Sequence, residues 1–202
     1  MDLDKAKLAI YERFVAHAAL EGGTFSMLRK ACVDLGYSES YAQIFFPNKI
    51  SDVLSMLLMS KFEAYTEALD RNELTQMRVK DRIKYLVTEF LKSLNDQRSS
   101  IRAIIKGCGK DFGLLLTSLK VSWNIVDEFW YIAGDKSVDF NHYTKRGLLF
   151  SVFVPSVIYW LNKNVSDHEV VRFVDNLLIR VNKIGKIKTA ILGKIGSFRR
   201  RF

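Results

Sequence analysis

The chain has 202 residues, 49% of them hydrophobic and only two of them proline, which suffices for one domain with a substantial core and excludes a disordered chain. Cys32 and Cys108 lie far apart and His17, His142 and His168 are scattered, so neither a disulfide framework nor a close-spaced metal site is expected, and no cofactor. The net charge of +9 is unevenly placed: residues 183–202 hold seven cations and no acid, which leaves +2 for everything before them.

Apolar residues recur at helical spacing almost everywhere, and no Asn-Gly or Asp-Gly pair separates alternating runs. The chain is expected to be all-α, with helices over 3–20, 25–35, 39–45, 51–69, 79–93, 97–106, 112–133, 140–162, 167–182 and 184–200. The turns fall at Glu21-Gly22-Gly23, Gly36, Pro47-Asn48, Gly107-Cys108-Gly109, Gly134 and Asn162 to Ser166. The opening Met1-Asp2-Leu3-Asp4-Lys5 reads as neither a secretory signal nor an arginine-rich transit peptide. A bacterial cytoplasmic protein on the inner face of the inner membrane is expected, or the mitochondrial matrix side if an import sequence has been removed.

Residues 24–49 hold three short helical pieces, and Gly36 to Lys49, ending in Phe45-Phe46-Pro47-Asn48-Lys49, resembles the helix-turn-helix of TetR-type repressors, with a long helix following. DNA readout needs base-reaching side chains supported by cationic phosphate contacts. The candidate recognition helix has Glu39 as its charge, and the unit carries Arg29, Lys30 and Lys49 against Asp34 and Glu39. Such a footprint argues against nucleic acid, and a ligand-responsive transcriptional regulator is the alternative reading.

In the helix 112–133, Phe112, Leu115, Leu116, Leu119, Trp123, Val126 and Trp130 fall at spacings of three and four and form one stripe. The next apolar run, Gly147 to Asn162, is about sixteen residues and contains Pro155, short of the roughly twenty that cross a bilayer. As a helix it is apolar all round, so it must be covered by core, subunit or lipid. Between them Gly134 suits a left-handed helix end and Asp139 the next N-cap. Asp127 and Trp130, three apart, share a face beside this polar corner, either an acid neighbouring the corner and one large core side chain or an acid and an aromatic of the kind that dominate interfaces.

The corner, Trp130-Tyr131-Ile132-Ala133-Gly134-Asp135-Lys136-Ser137-Val138-Asp139-Phe140-Asn141-His142-Tyr143-Thr144-Lys145-Arg146, resembles the signature of the Coq-nine family, lipid-binding accessory proteins of ubiquinone biosynthesis. That signature runs approximately Trp-x-x-Ala-Gly-Asp-x-Ser-x-Asp-Phe-Asn-x-Tyr-Thr-x-Arg. His142 stands where the family more often has Trp, and Ile132 where it has a Tyr. Gly23-Thr24-Phe25-Ser26-Met27-Leu28 and Leu35-Gly36 are similar to the family's version of the opening helices, and the likeness runs from about Leu20 to about Lys188.

This resemblance implies a TetR-like helical bundle and a homodimer. It implies a lipid site between the helices 112–133 and 140–162, with Phe112, Leu115, Leu119, Trp123, Val126, Leu149, Phe150, Phe153 and Val157 as candidate residues for an isoprenoid quinone precursor or a phospholipid. It also implies a docking patch of Asp127, Trp130 and Tyr131 for the di-iron demethoxyubiquinone hydroxylase.

The tail joins an apolar face of Ile184, Ile187, Ile191, Ile195, Phe198 and Phe202 to a basic one of Lys186, Lys188, Lys194, Arg199, Arg200 and Arg201, the pattern of a helix lying on an anionic membrane surface, with nucleic acid and calmodulin-like targets as rival readings that the continuous apolar face favours less. The expected organisation is therefore a single TetR-like domain over 1–182, divided into a helix-turn-helix-like part (1–49) and a lipid-binding bundle (50–182), followed by a membrane-binding tail (183–202). No di-iron Glu-x-x-His set, Gly-x-Ser-x-Gly elbow or phosphate loop is present, so no intrinsic catalysis is expected. The expected role is a carrier that docks on the membrane and presents a polyprenylated quinone precursor to the hydroxylase.

Overall fold

The computed structural model describes residues 2–107, 109, 111–135 and 140–181, with Phe140 described by its backbone. Among these residues all regular structure is helical. The elements are α1 (Leu3–Glu21), α2 (Phe25–Asp34), α3 (Ser40–Phe45), α4 (Ile50–Glu67), α5 (Arg71–Gln76), α6 (Val79–Ser93), a 3-10 turn (Asn95–Gln97), α7 (Arg98–Gly107), α8 (Phe112–Ile132), α9 (Phe140–Trp160) and a further helix, α10, over 167–181. The basic tail from Lys183 and the expected cap Asp139 lie outside the described residues.

Two compact units interleave along the chain, one of Met1–Arg71 with Phe90–Ile125, the other of Asn72–Glu89 with the chain from Val126 onward. The division falls within α6 and α8.

In the first unit α1 buries Ala6, Ile10, Phe14 and Ala18 in steps of four, a single face. That face packs against α2 and α7, and the buried Ser100 hydroxyl donates to the Val15 carbonyl at 2.9 Å. Gly22 ends α1 at φ +100°. Gly23 serves a different need: a Cβ there would lie 2.2 Å from the Ile104 Cα, so only hydrogen lets the turn cross α7 so closely. Thr24 then caps α2, its hydroxyl accepting from the Met27 N–H at 3.4 Å, and Gly36 at φ +77° closes it. α2 and α3 pack as a helix-turn-helix, and Asp52 anchors the start of α4 by accepting from the backbone and side chain of Asn48 at 2.8 and 3.1 Å. The short α5 was not foreseen, because Leu74 is its one buried position and a single apolar residue carries no period.

The second unit buries Ile83, Leu86 and Val87 of α6, Val126, Phe129 and Ala133 of α8, Leu149, Val152, Phe153 and Trp160 of α9, and Val170 and Val174 of α10. Phe129 and Phe153 meet edge to face at 5.9 Å, and Tyr159 stacks on Phe173 at 4.2 Å. Within the chain α9 is covered on one face, while Ser151 is exposed and Ile158 is 62% exposed. α9 ends two residues before expected, where the Asn162 amide turns back to the Ile158 and Tyr159 carbonyls. α10 opens with a capping box, Ser166 to Glu169, in which the Glu169 carboxylate accepts from the Ser166 backbone N–H and hydroxyl, each at 2.8 Å. Those bonds hold the Glu169 carboxyl below its ordinary range.

Candidate functional site

The helix corner is built as its residue types require. Gly134 adopts φ +88°, and the Asp135 N–H reaches back to the Trp130 carbonyl at 2.9 Å, ending α8 in a left-handed cap. The guanidinium of Arg82 secures the same end from α6, donating to the carbonyls of Thr75, Met77 and Ala133 at 2.9, 2.9 and 3.0 Å. Sequence reasoning missed Arg82, since nothing local marks a side chain whose partner is fifty-one residues away.

An ion network fills the inside of the corner. Asp135, its side chain 5% exposed, accepts from Lys145 Nζ at 2.6 Å and from Arg146 NH1 at 3.1 Å. Arg146 is itself buried, and its Nε donates to Asp127. Burying a carboxylate is tolerable only when such partners neutralise it. Trp130 is tied in as well: its indole N–H donates to the Lys145 carbonyl at 3.1 Å, and the Lys145 ammonium lies 5.6 Å from its ring centre.

Beside this network an apolar cleft of about 450 Å³ opens within the second unit, a volume in the range of small-ligand sites. Its walls are Val79 and Ile83 of α6, Trp130 of α8, Leu148 and Leu149 of α9, and Leu178, Ile179 and Val181 of α10, with Lys80, Asp81, Lys84, Lys145 and Asp175 supplying charge. Lys84 and Asp175 pair across it at 2.8 Å.

The sequence-derived candidates distribute unevenly over this geometry. Of the nine expected lipid residues only Leu149 lines the cleft. Val126 and Phe153 are core, and Phe150 and Val157 are half-buried on α9. Phe112 and Leu115 are 69% and 52% exposed, Leu119 is half-buried, and Trp123 is exposed, all in the first unit. The even spacing of the α8 stripe thus conceals a change of surroundings near Val126, which helical periodicity does not register. The expected docking residues do come together: Asp127 and Tyr131 are exposed and Trp130 is half-buried with its ring in the cleft wall. The membrane-binding candidates from Ile184 to Phe202 lie outside the described residues.

Among the described residues no cluster of His, Cys, Asp or Glu is arranged to hold a metal ion, and no helix is long and apolar enough to cross a membrane. Cys32 is a buried free thiol whose pKa burial pushes up, which makes it a poor nucleophile.

Helix order and site together define an all-α protein of TetR-like type, with a helix-turn-helix near its start and a ligand-sized cleft beside a polar helix corner. The profile that describes the COQ9 family matches residues 115–185, which contain that corner. Over those residues the chain is similar to the COQ9 family. It is 27% identical, over 94% of its own length, to the probable ubiquinone biosynthesis protein coq9, mitochondrial, of Dictyostelium discoideum, and 24% identical, over 95%, to the mitochondrial ubiquinone biosynthesis protein coq9 of Schizosaccharomyces pombe. Over 29% of its length it is 37% identical to the ubiquinone biosynthesis protein COQ9, mitochondrial, of Rattus norvegicus. The matched region spans 64% of the Dictyostelium protein, 19% of the rat protein and 76% of the fission-yeast protein.

Proposed function

We propose that the chain is a lipid-binding accessory protein of ubiquinone biosynthesis, which holds a polyprenylated quinone precursor and presents it to the demethoxyubiquinone hydroxylase. The observation that carries this reading is the cleft, whose lining joins aliphatic side chains and Trp130 to Lys80, Lys84 and Lys145: an isoprenoid chain matches the apolar lining and quinone carbonyls match ammonium donors. The exposed Asp127 and Tyr131 beside it form the docking face for the hydroxylase. The relatives' names supply the pathway, and because those names call the proteins mitochondrial they support the matrix side of the inner membrane over a bacterial inner membrane. The tail supplies the membrane contact through its alternation of isoleucine and cation. A transcriptional-regulator reading rests on α2 and α3 alone, whose surroundings carry little positive charge.

Mass spectrometry of organic extracts from the purified protein tests the proposal. Co-purified isoprenoid quinones are expected; extracts free of quinone, together with no uptake of an added short-chain quinone, would overturn it.

A further inference from the structure

We infer that Lys145 couples occupancy of the cleft to docking at the Asp127 face, an inference that rests on the reading of these two features as ligand site and partner surface. Lys145 belongs to both. It lines the cleft, its carbonyl accepts the Trp130 indole N–H, its ammonium lies 5.6 Å from that ring's centre, and it pairs with Asp135 at 2.6 Å. Asp135 shares Arg146 with Asp127, the exposed acid of the docking face.

The arrangement has two states that differ in their contacts, as any linkage requires. Lys145 is 30% exposed at its side chain, and its ammonium has three donors on a flexible stem. A ligand oxygen in the cleft draws that ammonium away from Asp135. The buried carboxylate is not left unpaired, because Arg146 remains on it at 3.1 Å. With Lys145 withdrawn, the Arg146 guanidinium serves Asp135 more fully and Asp127 less, which frees the Asp127 carboxylate for a cationic or hydrogen-bond-donating partner. Occupancy therefore strengthens docking, and docking strengthens occupancy by the same factor.

The test measures the dissociation constant of the intact protein for the hydroxylase with and without saturating decylubiquinone as the probe. In the wild type the probe is expected to tighten docking about fivefold, the lower end of ordinary coupling. Lys145→Met is expected to bind the hydroxylase with the same constant whether or not the probe is present, while Lys145→Arg retains part of the effect. A Lys145→Met protein that keeps the whole effect, or a wild type that binds both molecules independently, overturns the inference and leaves the functional reading standing. A wild type that binds neither overturns both. If Lys145→Met does not accumulate, Lys145→Gln is judged by the same comparison.

Discussion

Asp135 and Arg146 show how little of a buried ion pair is decided by either residue alone. Both side chains are almost fully buried, and each is tolerated there because the other, with Lys145, Asp127 and the His142 carbonyl, satisfies its charge and donors. Removing one side of such an arrangement leaves an uncompensated charge, typically at about 3 to 5 kcal/mol. Arg146→Met is therefore expected to destabilise the protein by about 3 kcal/mol, since Lys145 still neutralises part of Asp135. Denaturant unfolding measures this; a loss under about 1 kcal/mol would mean the network contributes far less than its burial implies.

Among the elements, Gly23 in the α1 to α2 connection acts for a different physical reason from Gly36. At Gly23→Ala the new Cβ collides with the α7 backbone, and helices cannot yield as a flexible side chain would. The expected loss is about 3 kcal/mol, the upper end of ordinary overpacking. Gly36→Ala meets nothing within 4 Å and bears only the left-handed strain of about 1 to 2 kcal/mol. Thermal unfolding of the two variants should rank them in that order. The same pair of helices is tied electrostatically, because Glu21 takes Lys30 at 3.0 Å and Arg13 at 3.1 Å, and Arg13 also pairs with Asp34. Hydrogen bonds from Lys30 and then Arg13 hold the Glu21 carboxyl below its ordinary range. A carboxyl whose folded pKa is lowered contributes stability that is present above its unfolded pKa and is lost as pH falls through the folded one. Stability is thus expected to decline on acidification below the usual carboxylate range, and Glu21→Gln should flatten that decline when unfolding midpoints are compared across pH.

For the molecule as a whole, the uneven charge separates two kinds of attraction. The residues before the tail carry only +2, whereas the twenty from Lys183 carry seven cations beside a regular apolar spacing. Truncation before Lys183 is expected to abolish flotation with anionic liposomes, with an unchanged unfolding midpoint, and flotation of the full chain should weaken as salt rises. Flotation that survives truncation would place the membrane contact on the body of the protein instead.

Helical period, glycine breaks and the Trp130 to Arg146 motif were enough to read an all-α chain, most helix ends and a likeness to the COQ9 family, because each depends on near neighbours along the chain. That Asp127 and Trp130 share a helical face was legible for the same reason, since they stand three residues apart. The cleft was not. Its wall joins Val79 and Ile83 to Leu148 and Ile179, and whether an apolar side chain fills a core or borders a void depends on what distant helices place opposite it. So Phe153 is packed on Phe129, while Ile83 and Leu178, ordinary members of amphipathic helices, line the cleft. The sequence by itself determined which faces are apolar and where helices stop, for these follow from local sterics and periodicity; only tertiary structure decided which apolar faces meet and which stand apart, since that follows from packing between segments separated by tens of residues.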